Sequence, residues 1–256
     1  RHYFTGAPDA ADTEAQVAAL IDHAVTGAAR QAAGMMAAGF VHGVLNSDNI
    51  NITGESFDYG PWRFAPSFDP GFTAAYFDQQ GLYAFGRQAE AIQWDVMQLA
   101  ISLRLISESD PLVAALEAFP AAYRAALAER FCWRLGVRQR GADEDIALIQ
   151  AMEQALIDSQ VELDRFFFDW SGGSPRPSPA GETYASTAFA PFRQAIAAYE
   201  PARAIDHGYW SGEPCSMLID EVEAIWDRIA QEDDWSLLYA KVKAIRAMGE
   251  ALTPKH

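Results

Sequence analysis

The stretch His42-Gly43-Val44-Leu45-Asn46-Ser47-Asp48-Asn49, with Asp58-Tyr59-Gly60 following nine residues after Asn49, decides how this chain is read. Between the two, Asn49-Ile50-Asn51-Ile52 and Ser56-Phe57 alternate polar and apolar residues around Thr53-Gly54-Glu55. Alternation about a glycine turn predicts a short β-hairpin. Its paired arms would carry Asn49 on one strand and Asp58 at the end of the other. Upstream, residues 13–39 read as one long helix. Val17, Ile21, Ala24, Ala28, Ala32 and Met35 recur at helical spacing and predict a buried stripe. Thr13 and Gln16 have the spacing of a capping box, and Gly39 is placed to end the helix in a left-handed conformation.

The chemistry of the central stretch follows from its oxygen donors. A divalent cation on nucleotide phosphates takes hard oxygen ligands, and phosphate and water can complete a shell begun by one carboxylate and one amide carbonyl. Asn49 and Asp58 suit those roles. In kinase-like folds a His opens the catalytic loop, an Asp two residues on is the base, an Asn closes the loop on a metal, and a second Asp before an aromatic-Gly pair holds that metal. Here Val44 stands at the base position and can neither accept a proton nor orient a hydroxyl. Asp48 is the candidate replacement, acting on an incoming hydroxyl. If the loop is extended there, Asp48 and Asn49 face opposite sides, one toward an acceptor and the other toward a metal. His42 is expected to be a structural, hydrogen-bonded group. His2, His23, His207 and His256 are scattered, which argues against a His-rich zinc site. The plain alternative is a polar hairpin whose Asn and Asp serve local turns. The combination of His-Gly, the closing Asn and an Asp-aromatic-Gly beyond a hairpin favours the metal–nucleotide reading.

Composition sets the bounds. A chain of 256 residues, half of them apolar, can bury a substantial core. The net charge of −16, from 35 acidic and 19 basic residues, argues against broad binding to nucleic acid or an anionic membrane. Lys241, Lys243 and Arg246 form too small a basic face to change that. No apolar run reaches the roughly 18–20 residues of a membrane span, and no basic-then-apolar leader opens the chain. A cytoplasmic protein is therefore expected. Cys132 and Cys215 have no Cys-x-x-Cys spacing and are read as reduced thiols.

Beyond an irregular segment at 65–86 the pattern is helical, with helices expected at about 87–106, 111–118, 120–135, 143–169, 187–199, 215–231 and 235–251. Pro111 and Pro120 suit first turns. Ser171 to Pro179, rich in Gly, Ser and Pro, reads as a loop or internal linker. Phe166-Phe167-Phe168 with Trp170 is read as core rather than as a partner surface. The fold class expected is mainly α: a protein-kinase-like C-lobe with a short β-hairpin at the catalytic loop over 1–170, a linker at 171–186, and a C-terminal helical extension over 187–256.

Residues 40–49 and Phe57-Asp58-Tyr59-Gly60-Pro61 closely resemble the core signature of the selenoprotein O family of pseudokinases. So do Phe68-Asp69-Pro70-Gly71-Phe72, Gly81-Leu82-Tyr83-Ala84-Phe85-Gly86-Arg87-Gln88, and Trp94 with Leu99-Ala100. The resemblance is dense from about residue 34 to 104. It implies a kinase-like fold that binds ATP in a flipped orientation and transfers AMP to Ser, Thr or Tyr hydroxyls of proteins. It implies Asp48 as proton acceptor, and Asn49 and Asp58 as ligands of Mg²⁺ or Mn²⁺, with Asp58 also near the nucleotide phosphates.

Three departures qualify what carries over. The family's Gly-rich loop, strand Lys and arginines that hold ATP have no counterpart before residue 13, so the chain is expected to be the C-terminal portion and inactive in isolation. Ala74 stands where some bacterial members have a Cys that pairs with a C-terminal Cys. The sequence also ends at His256 without the Cys or selenocysteine tail of some members. A kinase-type phosphotransferase and a non-catalytic binding scaffold are the alternatives. Val44 argues against the first, and Asp48, Asn49 and Asp58 argue against the second.

Overall fold

The computed structural model describes residues 12–253. It is mainly helical, and the described residues divide into two compact units, one of residues 12–63 and 70–130, the other of 64–69 and 131–253.

In the first unit, α1 (Thr13–Ala38), α2 (Gln88–Leu103) and α3 (Ser109–Glu117) pack together. Ile21, Val25, Ala28 and Ala32 of α1 meet Ile92, Val96 and Ala100 of α2 and Leu112 and Ala115 of α3 in one core. The alanines allow a close approach, and each fully buried Ile or Leu contributes about 1.5–3 kcal/mol. The expected α1 stripe is buried throughout. Its start differs from expectation: Asp12, not Thr13, is the N-cap, and its carboxylate accepts from the Ala15 N–H at 2.9 Å. A carboxylate one residue earlier reaches the orphan amide and also meets the positive end of the helix dipole. Gly39 closes α1 at φ 70°, as expected.

The chain then forms β1 (Phe40–Val41), which pairs with β2 (Arg63–Phe64) in a two-stranded sheet. The expected hairpin over 49–57 is smaller than predicted. It consists of one antiparallel bridge, Ile50 to Ser56, with backbone bonds from Asn51 to Glu55 and from Phe57 to Asn49 around it. Its tip is pressed onto α1: a Cβ on Gly54 would lie 2.5 Å from the Gly27 backbone. Docking on a helix, rather than a long ladder, holds this hairpin.

In the second unit, the expected single helix over 143–169 is two, α5 (Ala142–Ser159) and α6 (Leu163–Asp169). Gln160 takes a left-handed conformation at φ 54°. Glu162 bridges Ser67, and the Leu163 N–H donates to the Pro66 carbonyl. These contacts draw the backbone out of helix geometry. α4 (Phe119–Leu135), whose residues up to Arg130 belong to the first unit, precedes them, and α7 (Gly181–Ala185), α8 (Ala190–Ile196), α9 (Ile219–Glu232) and α10 (Ser236–Leu252) follow. Phe166, Phe167, Phe168 and Trp170 are buried, as expected of core. The glycine- and proline-rich stretch is tied down. Ser178 and Tyr184 donate to the Asp169 carboxylate, and the Arg176 guanidinium lies 4.3 Å from the Phe168 ring and 4.8 Å from that of Trp210. Cys132 and Cys215 are free and buried. Among the described residues no helix is long and apolar enough to cross a membrane.

Candidate active site

The site grows out of the end of α1. Once Gly39 stops the helix, Gln88 at the start of α2 holds the emerging strand by both ends of its amide. Its Nε2 donates to the Phe40 carbonyl at 2.8 Å, and its Oε1 accepts from the His42 N–H at 3.1 Å. Gln88 is fully buried, so these bonds are made away from competing water. Gly43 follows at φ 86°, and a Cβ there would lie 2.8 Å from Pro61 Cγ and 3.0 Å from Ala74 Cβ. Only glycine fits both the backbone and the space.

His42 is buried, and both ring nitrogens are engaged. Nε2 lies 3.0 Å from the Phe57 carbonyl and must donate to it, because the Val44 N–H donates to Nδ1 at 3.3 Å. The imidazole therefore joins the loop before Asp48 to the turn that carries Asp58. This is the structural role expected of it. Val44, useless as a base, serves through its backbone: its carbonyl accepts from Asn49 Nδ2 at 2.9 Å. That bond assigns the amide orientation and leaves Oδ1 as the Asn49 side-chain atom open to a cation.

The structure brings Asn49 and the Asp58 turn together, with the Phe57 N–H donating to the Asn49 carbonyl at 3.3 Å. Asp58 is exposed at φ 57°, and its carbonyl accepts from the Gly60 N–H. Asp48 is exposed beside a buried Asn49, in keeping with neighbours that face opposite ways. Among the described residues neither the Asp48 nor the Asp58 carboxylate makes a hydrogen bond within the chain, so each is available to a ligand.

The surroundings are acidic. Asp95 of α2 is 5% exposed, and among the described residues neither of its carboxylate oxygens has a hydrogen-bond partner. Burial, with the Asp48 charge adding to it, pushes its carboxyl up to about 7. Tyr83 donates to Asn46 Oδ1 within the same loop. Burial raises its phenol, and Asp95, Asp78 and Asp48 raise it further, so it remains a neutral donor. A negative field of this kind attracts a divalent cation. Among the described residues no group of three or more His, Cys, Asp or Glu side chains could hold a metal alone. A cation at Asn49 and Asp58 would thus complete its shell with phosphate and water oxygens, and the hard donor pair fits Mg²⁺ or Mn²⁺.

Sequence reading offered Asp48, Asn49 and Asp58 as candidate site residues and gave no role to Gln88, Tyr83 or Asp95. The signal for two of these lay in the helical phase of α2. Gln88, Ile92, Asp95 and Val96 share its buried face, and a polar side chain at an apolar phase requires an explanation.

The family described as Protein adenylyltransferase SelO matches residues 1–176, well beyond the densest stretch of motifs. Proteins named Protein nucleotidyltransferase YdiU are similar to the chain. The one from Trichormus variabilis is 33% identical over 233 residues, covering 84% of this chain and 48% of its own length. The one from Gloeobacter violaceus is 35% identical over 232 residues, with 85% and 48% covered. The one from Trichodesmium erythraeum is 34% identical over 233 residues, with 85% and 48% covered. The chain belongs to the SelO family. It spans about half the length of the curated relatives it matches.

Proposed function

We propose that this chain supplies the catalytic loop and metal-binding turn of a protein adenylyltransferase with a kinase-like C-lobe. The activity would be transfer of AMP from ATP to a Ser, Thr or Tyr hydroxyl of a protein. The observation that carries this reading is the pair of carboxylates, Asp48 and Asp58, with no hydrogen bond among the described residues, on segments joined through His42 and Asn49. In this proposal Asn49 Oδ1 and the Asp58 carboxylate would hold Mg²⁺ or Mn²⁺, which would supply charge neutralisation to the phosphates. Asp48 accepts the proton of the acceptor hydroxyl as its oxygen bonds to the α-phosphorus. The bond from that phosphorus to the bridging oxygen breaks, and pyrophosphate leaves. The names of the relatives and of the family support nucleotidyl transfer.

No lysine precedes Lys241 in the sequence, so the first unit offers none for phosphate. Residues 1–256 alone are accordingly expected to bind ATP weakly and to be inactive, the cradle being supplied by other parts of the full enzyme. The test uses a full-length relative's N-terminal half joined to this chain, with ATP labelled at the α- or the γ-phosphate. Adenylyl transfer marks acceptor protein from α-label only. Marking from γ-label would establish the phosphotransferase instead, and no marking from either, with ATP bound, would establish the scaffold.

A further inference from the structure

A groove of about 250 Å³ opens in the first unit between α1, α2 and the segment that follows Asp48. Its walls are apolar: Ala24 and Ala28 from α1, Ile50 and Ile52 from the loop, Val96 and Leu99 from α2. Asp95 lines it, nearly fully buried, with both carboxylate oxygens unpartnered. A buried carboxylate with no donor is costly to keep, and proteins normally pair such groups. The groove lining contains no Lys, Arg or His, and the whole first unit contains no lysine. Ser47, Asn51, Gln98 and Ser102 add neutral polar atoms around the rim.

We infer that this groove binds an alkylammonium group, its methylenes lying between the alanine and isoleucine walls and its ammonium donating to Asp95. The apolar walls decide between cation types. A bare divalent ion needs several oxygen ligands at short range, and the described residues offer no cluster of three acidic or His/Cys ligands here. A primary amine on an alkyl chain instead uses one carboxylate, a few hydroxyl or amide acceptors, and hydrocarbon walls. The volume leaves room for the chain and a few waters, at about 30 Å³ each. The groove shares Ser47, Ile50, Asn51 and Ile52 with the segment that carries Asp48 and Asn49. If that loop receives an acceptor hydroxyl, the groove would take a lysine side chain near it in the acceptor polypeptide. A free amine, such as a diamine, has the same chemistry.

The experiment needs no nucleotide, so its outcome is independent of the adenylyl-transfer reading. The 256-residue chain is titrated with n-pentylammonium chloride, followed by amide NMR shifts and calorimetry. NaCl at matched ionic strength and tetramethylammonium chloride, which cannot donate a hydrogen bond, are the controls. Saturable shifts confined to Ser47–Ile52 and Asp95–Ser102 are expected, weakened at least tenfold in Asp95→Asn. Gln98→Lys, which places a tethered ammonium at the rim, is expected to weaken binding as well and serves if the first variant misfolds. A lysine-containing peptide binding more tightly than pentylammonium identifies the polypeptide source; the reverse order identifies a free amine. No saturable binding, binding unchanged in both variants, or equal shifts with NaCl or tetramethylammonium would overturn the assignment.

Discussion

His42 Nε2 donates to the carbonyl of Phe57 across 3.0 Å, so one buried imidazole fixes the distance between the loop of Asp48 and the turn of Asp58. The Val44 N–H on Nδ1 completes its bonding. His42→Ala leaves the Phe57 carbonyl and the Val44 amide without this partner and opens a cavity. We expect a loss of about 2–4 kcal/mol in urea denaturation. Amide exchange should accelerate more at Asp58–Gly60 than within α1. Uniform acceleration across both segments would show that the ring packs the core without joining the two segments.

Gly27 and Gly54 touch backbone to backbone where the hairpin tip meets α1. At Gly54 the left-handed φ of 80° and the 2.5 Å approach both exclude a side chain. Gly54→Ala should cost more than about 2 kcal/mol, from backbone strain and steric displacement together. A Cβ on Gly34, also in α1, would meet nothing within 4 Å, and Gly34→Ala should stabilise by about 0.5–1 kcal/mol. Thermal melts of the two variants should therefore shift in opposite directions. A shift of the same sign would refute the close-contact account.

Asp95 gives a stability that depends on pH. Its folded-state pKa of about 7 lies above its unfolded value, so the folded protein binds the proton more tightly. The protonated group has no effect below the unfolded pKa near 4. From there up to about 7 the unfolded chain ionises first and stability declines, with no further change above that range. The total is on the order of 2–4 kcal/mol. Asp95→Asn should thus gain stability relative to the parent as pH rises from 4.5 to 8. Urea denaturation at the two pH values checks it, and parallel profiles would exclude Asp95 as the titrating group.

The parts of the fold that the sequence revealed are those governed by local rules. The α1 stripe and its glycine stop follow from periodicity and left-handed backbone, while Asp48, Asn49 and Asp58 are candidates on ligand chemistry. What it did not reveal depends on partners far away in the chain. The break after Ser159 needs Pro66 and Ser67, and the shortened hairpin needs Gly27. The role of Gln88 needs two backbone groups some forty-six residues away. The break and the shortened hairpin leave no periodic signal, because each is a contact between distant segments; the phase of α2 reveals that Gln88 is buried but not which groups it holds.

Asp58 combines a proposed metal ligand with a strained backbone, and the two can be separated by substitution. At φ 57° a non-glycine residue sits in a region costing about 1–2 kcal/mol, which Asn tolerates best among residues with a side chain. Among the described residues its exposed carboxylate makes no hydrogen bond that would offset this cost. Asp58→Gly should therefore raise stability by up to about 1 kcal/mol, and Asp58→Asn should be near neutral. Asp58→Ala keeps the strain and should change stability little or lower it slightly. All three remove the anionic ligand, and all three should abolish Mg²⁺- or Mn²⁺-dependent AMP transfer in the full-length hybrid. Denaturation and labelled-ATP transfer measured side by side decide the matter. Retained transfer in all three would remove Asp58 from the metal site, whereas a stability loss in Asp58→Gly would mean that the turn depends on the carboxylate itself.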